Sequence, residues 1–175
     1  MSKNYTFNLG DFVVYPAHGV GQVTERQTTT VAGQDLELIA VHFTKDKMTM
    51  KIPSTQAVEK GLRQVATPVV MDEVEKVLSK KAKAKRVQWS KRCAEYTAKI
   101  CSGSPLALAE VIRELYKDPA IATQTYSERQ LYEKAMGRLV PEYAVIHGIP
   151  ETEAQAKIEG FLCGTECCCC TESAK

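Results

Sequence analysis

ATPVV, residues 66–70, is the stretch on which the fold turns. Before it, apolar side chains recur about every second residue, the period of a strand with one buried face. After it they recur about every 3.6 residues, the period of a helix. The change predicts an α+β protein of two domains, residues 1–66 and 67–163, followed by a cysteine-rich tail at 164–175. A chain of 175 residues is long enough for two small domains.

On the N-terminal side, Phe12, Val13, Val14 and Tyr15 form a short apolar run that Pro16 breaks, and Gly19 and Gly21 read as turn formers. Gln22 to Val31, rich in Thr and Val, suits a strand with one wet face, and Ala32-Gly33-Gln34 suits a hairpin turn. In the next strand Leu36, Leu38 and Ala40 are the expected inward set against Glu37, Ile39 and Val41. The weak alternation predicts burial on both faces. Lys45-Asp46-Lys47 makes a polar turn, after which Met48, Met50 and Ile52 alternate with Thr49 and Lys51 up to Pro53. Four or five short strands in fewer than 60 residues cannot stack as two sheets. The compact solution is a small, strongly curved, SH3-like barrel.

On the C-terminal side, Val70, Val74, Val77 and Leu78 share one face of a short helix. A second helix is expected from about Arg86 to Cys101, closed by Ser102 and a left-handed Gly103. Ser104-Pro105 starts a third, with Leu106, Ala109, Val111, Ile112 and Leu115 on its apolar face. Ser127-Glu128-Arg129-Gln130 reads as the capping box of a fourth, whose face of Leu131, Ala135 and Leu139 leads up to Pro141. A last helix spans Pro150 to Leu162, with Glu151 and Glu153 at its positive end. The sum is a bundle of about five short helices.

A net charge of +2 hides a steep gradient. Residues 80–92, KKAKAKRVQWSKR, carry seven basic side chains, no acidic one, and the only tryptophan, Trp89. Residues 93–175 carry eight basic and twelve acidic side chains, so the positive field is local. Such a cluster repels itself unless an anionic polymer or surface neutralises it. An indole among cations can stack on a base or press between base steps while the cations hold phosphates. A solvated helix face would read the same way. Lys80 to Lys85 is too charged and too alanine-rich to pack, and reads as an exposed loop or the frayed start of the second helix.

On a helical wheel Trp89, Cys93, Tyr96 and Ile100 form one stripe, and Val87, Ala94, Ala98 and Cys101 another roughly opposite. If the small stripe faces the bundle, Trp89 is left among the cations. If the large stripe does, as the width of an ordinary apolar stripe favours, Trp89 is buried.

No apolar run approaches the roughly 18–20 residues of a membrane span, and MSKNYTFNLGD lacks the apolar core of a signal peptide, so a cytoplasmic protein is expected. His18, His42 and His147 sit in no HExxH, HxxxH or paired CxxC arrangement, and GxSxG, GxGxxG and GxxxxGK[ST] are all missing. Neither an enzyme, a cofactor nor a metal in the body of the protein is expected. Of the seven cysteines, Cys163 and Cys167 to Cys170 crowd the C-terminus; four consecutive cysteines cannot pair among themselves without severe strain. Cys93 and Cys101 are expected in the core, and the tail as a disordered appendix. Soft-metal binding, a thiol or metal enzyme built on the tail, and acylation are the alternatives.

Three separated motifs carry a resemblance: FNLGDFVVYPAHGVGQV at Phe7 to Val23, MKIP at Met50 to Pro53 with GLRQV at Gly61 to Val65, and QWSKR at Gln88 to Arg92. In this order, over residues 7–162, the chain resembles the CarD/CdnL family of bacterial transcription regulators. The resemblance implies a Tudor-like N-terminal domain, similar to the polymerase interaction module of transcription-repair coupling factors, that docks on the RNA polymerase β subunit. It implies a helical domain touching promoter DNA at the upstream edge of the melted region. Trp89 becomes a minor-groove wedge at the fork and Lys91 and Arg92 backbone clamps, with Arg86 and Lys85 of the same basic run as further DNA-binding residues. Lys51, the basic residue before the Ile-Pro dipeptide, becomes a polymerase contact, with Met50 and Pro53 of the same motif; Thr29 stands where some relatives carry an arginine.

The implied partners are the β subunit and promoter DNA, the latter with weak sequence preference. The implied protein is a monomer, associated with the nucleoid through polymerase. Without a polymerase partner, the same basic segment would make a general nucleic-acid-binding module, RNA- or ribosome-associated.

Overall fold

The computed structural model describes residues 7–31, 34–57, 59–80, 88–117 and 124–163. Two compact units follow one another, Met1–Val65 and Ala66–Lys175.

The first unit is built on strands β1 (Phe12–Tyr15), β2 (Gly19–Val31), β3 (Gln34–Phe43) and β4 (Met48–Pro53), then a helical turn α1 (Ser54–Ala57) and a short strand β5 (Arg63–Gln64). They form a five-stranded sheet in the order β4-β3-β2-β1-β5, antiparallel at every pairing. β2 and β3, with 13 and 10 residues, are longer than the short strands expected. They pair continuously from Gln22 opposite His42 to Val31 opposite Gln34, with a register shift between Val23 and Glu25. The turn expected at Ala32-Gly33-Gln34 involves residues 32–33, which lie outside the described residues.

The core of this unit is Phe7, Val13, Val23, Ile39, Val41, Phe43, Ile52, Ala57 and Leu62. The inward set of β3 is therefore Ile39, Val41 and Phe43, the reverse of the expected one. Leu36 and Leu38 are half-buried on the outer face, while Ile39 and Val41 pair with Ile52 and Met50 of β4 in an unbroken ladder on the core side. Gly21 is not a turn residue. It lies within β2 opposite Val13, where a Cβ would stand 2.7 Å from Val41 and 2.8 Å from Phe43, so only glycine lets these side chains close over the strand. His18 bonds Asp46 at 2.6 Å and stacks near Tyr15 and Phe43, tying the β1–β2 turn to the β3–β4 turn.

The second unit holds α2 (Pro68–Leu78), α3 (Trp89–Cys101), α4 (Pro105–Leu115), α5 (Tyr126–His147) and α6 (Glu151–Cys163). α4 packs on α2, α3 and α5, and α6 packs on α5 and α2. Met71, Val74 and Leu78 anchor α2, so Met71 takes the inward place expected of Val70, which is half-buried. α3 starts at Trp89 rather than Arg86, because Gln88 has extended backbone with ψ 139°. α4 begins behind Ser104 as expected, and Gly103 at φ 69° ends the previous helix in the left-handed region.

The capping box lies two residues before the expected one. Thr125 accepts from the Glu128 amide, and the Glu128 carboxylate takes the Thr125 amide at 3.0 Å. Pro141 does not end the helix. It removes one backbone donor, but Leu139, Val140, Tyr143 and Ala144 are buried in the same core on either side, and packing outweighs the lost bond.

Two arginines join helices through carbonyls at helix C-terminal ends. Arg113 of α4 donates to the Leu78 carbonyl at 2.6 Å and Arg138 of α5 to that of Ile100 at 2.7 Å, placing positive charge at the negative ends of α2 and α3. Burial pulls the Arg113 guanidinium below its usual value. Cys93 is half-buried, whereas Cys101 is exposed rather than in the core, because its side of the helix wheel faces away from Tyr96 and Ile100. No described helix is long and apolar enough to cross a membrane.

Candidate nucleic-acid and docking surfaces

α3 has an unusual first turn. Gln88 makes no side-chain cap, no acidic residue lies in the turn, and Lys91 and Arg92 add positive charge to the positive end of the helix dipole. This disfavours the helix by itself and suits an anion there. Trp89 is half-buried against the bundle core, Tyr96 and Ile100 are fully buried below it, and Ala94 and Ala98 are exposed. The large stripe therefore faces the core, and its first member is left with part of the indole in solvent.

The cations differ. Lys91 is exposed. Arg92 is half-buried, with Cζ 5.7 Å from the centre of the Trp89 ring and 5.5 Å from that of Tyr96, a cation–π distance on both sides. Its Nε and Nη2 donate to the Tyr96 hydroxyl oxygen at 3.1 and 2.9 Å, and that hydroxyl donates to Glu114 Oε2 on α4 at 2.8 Å. Burial pushes the Tyr96 phenol above its ordinary value, opposed by the Arg92 hydrogen bond and reinforced by Glu114. Lys85 and Arg86 fall in 81–87, outside the described residues, as does the expected tail.

On the sheet, Lys51 pairs with Ala40, Pro53 with Leu38, Gln27 with Leu38 and Thr29 with Leu36. Alternation puts Lys51, Pro53, Gln27 and Thr29 on one outer face. The Lys51 ammonium crosses above Ala40 and donates to Gln27 Oε1 at 3.2 Å. Met50, opposite Val41, stands on the other side and packs against the core, so it does not join the exposed face. Tyr96, Glu114 and Gln27 were not singled out for these contacts from sequence. Tyr96 sits four residues after Arg92 and so had a signal; Glu114 and Gln27 are brought in by helix and strand pairing.

Among the described residues no group of three or more His, Cys, Asp or Glu could hold a metal ion.

Residues 7–66 match the CarD-like/TRCF RID domain and residues 73–159 the CarD C-terminal domain. YdeB of Bacillus subtilis (strain 168), which is named as a transcription factor, is 24% identical over 150 residues, or 86% of this chain and 98% of YdeB. The solution NMR structure of the 72-residue N-terminal domain of Myxococcus xanthus CarD is similar at 30% identity over 34% of this chain and 79% of that one, with a TM-score of 0.30. With the two CarD domains in succession, the chain belongs to the CarD/CdnL family. The family is one of transcription regulators rather than enzymes, and its N-terminal module is an RNA polymerase-interacting one.

Proposed function

We propose that this protein docks on the RNA polymerase β subunit through the outer face of its N-terminal sheet and stabilises the open promoter complex by setting Trp89 at the upstream fork of the bubble. The observation that carries the reading is the position of Trp89, first in its helix, half-buried on the bundle and flanked by cations with no acidic residue in that turn. An indole so held offers an edge to DNA without any unfolding of the bundle. Pushing it into a stacked duplex step costs a few kcal/mol, whereas at a fork the stack is already broken. The ring then favours open over closed complexes, and that difference in affinity shifts the population.

Lys91, Lys85 and Arg86 supply phosphate contacts, so binding to DNA alone is weak and falls with salt. Tethering through the sheet raises the local DNA concentration. Lys51 supplies the charge for docking, beside Pro53, with the neutral Thr29 on the same face. Residues 1–66 form the docking domain and 67–163 the DNA-contacting domain of a monomer.

The test is promoter melting by purified polymerase. Added protein raises the melted fraction, and Lys51→Glu abolishes both this gain and co-purification with the β subunit while leaving free DNA binding intact. No gain from the wild-type protein would refute the reading.

A further inference from the structure

Trp89 is held in place by a relay that begins on a different helix. Tyr96 is fully buried at 0% exposure, so its hydroxyl is a fixed point of the core. Arg92 delivers two N–H groups of its planar guanidinium to that one oxygen, which locks the plane's tilt in a way a lysine ammonium could not. The same plane lies 5.7 Å from the Trp89 ring, one helical turn earlier. Glu114, half-buried on α4, accepts a hydrogen bond from the phenol at 2.8 Å and so sets the direction in which the oxygen lone pairs face Arg92.

We propose that Tyr96 and Glu114 are positioning residues for Trp89, acting through Arg92. The proposal rests on the fork reading above. Its content is that the two Arg92 N–H groups on Tyr96 fix the guanidinium beside the indole, leaving the exposed Lys91 as the more available phosphate contact of the pair. An indole on a solvent-facing helix start loses rotamer freedom when it meets DNA, which weakens the contact. The relay restricts the ring beforehand, so less is lost on contact. A phenol is protonated at neutral pH and this one is shifted further from ionisation, so it donates to Glu114.

The experiment uses the full chain and its only tryptophan. Time-resolved fluorescence anisotropy reads motion of Trp89, and open-complex lifetime reads function. Tyr96→Phe keeps the buried ring and removes the oxygen; it increases the fast component of indole motion and shortens open-complex lifetime about three-fold, the size of one cation–π contact. Glu114→Gln, which leaves the core intact, moves both readouts the same way by a smaller amount. In a Trp89→Ala background, neither substitution changes the lifetime further. Unchanged indole motion in both variants, or additive losses of lifetime in the Trp89→Ala background, overturns the proposal. Loosened indole motion together with a Trp89→Ala protein that sustains open complexes normally supports the relay and overturns the fork reading.

Discussion

The sheet's outer face and the start of α3 present their chemistry in opposite ways. Lys51 stands exposed above a small, buried Ala40 and is steadied by a single hydrogen bond to Gln27. Trp89 is partly a core residue, and its neighbouring cation is tied through a buried phenol to another helix. A sheet face can carry exchangeable side chains because the ladder beneath it is made of backbone. A helix start can present a large ring only by lending part of that ring to the core. Substitutions on the sheet face should therefore change binding and leave stability alone, whereas those around α3 change both unless they preserve packing.

The largest effect is expected from Gly21→Val. The added side chain meets Val41 and Phe43 at under 3 Å, and overpacking of this kind costs about 3 kcal/mol or more. Loss of the sheet's dispersed amide signals by NMR, with Trp89 fluorescence unchanged, would show that the docking face fails without the helical bundle. Arg113→Ala strips the cation from the α2 carbonyl end and leaves that carbonyl poorly served. It should lower stability by about 2 kcal/mol in chemical denaturation and touch no docking residue.

Glu128 gives the pH dependence. Burial alone would raise its pKa, but Lys117 and the Thr125 amide and hydroxyl outweigh burial and hold it below the ordinary 4.5. Its native value being depressed, the carboxylate stabilises the fold above about pH 4.5 and that contribution is lost as the pH falls through the lowered native value. Glu128→Gln should cost about 1 kcal/mol at neutral pH and flatten the acid limb of a stability–pH curve. At the small end, Lys51→Glu should alter stability by less than about 0.5 kcal/mol while abolishing polymerase co-purification. A Lys51→Glu protein that unfolds would erase the contrast between the two surfaces.

Much of this architecture was legible in the sequence. The change of apolar period at Ala66 to Val70, the left-handed Gly103, the restart at Ser104-Pro105 and the final helix all follow local rules, and the structure keeps them. What local rules could not supply came from pairing and packing. The inward face of β3 is set by packing on Phe7, Val13 and Ile52, which the weak apolar alternation from Leu36 to Val41 does not reveal. Pro141 reads locally as a stop and is overridden by the buried residues on both sides. The stripe through Trp89, Tyr96 and Ile100 was visible, but the place of Arg92 between two rings, and of Glu114 behind Tyr96, needed the approach of α4 to α3.

The central claim is that the solvent-facing part of Trp89 holds promoter strands apart, and the lifetime of open complexes after a competitor challenge tests it most directly. With purified polymerase and a β-subunit-binding, folded Trp89→Ala protein, the account predicts a lifetime close to that seen without the regulator. A Trp89→Ala protein that prolongs open complexes as well as the wild type does would contradict it.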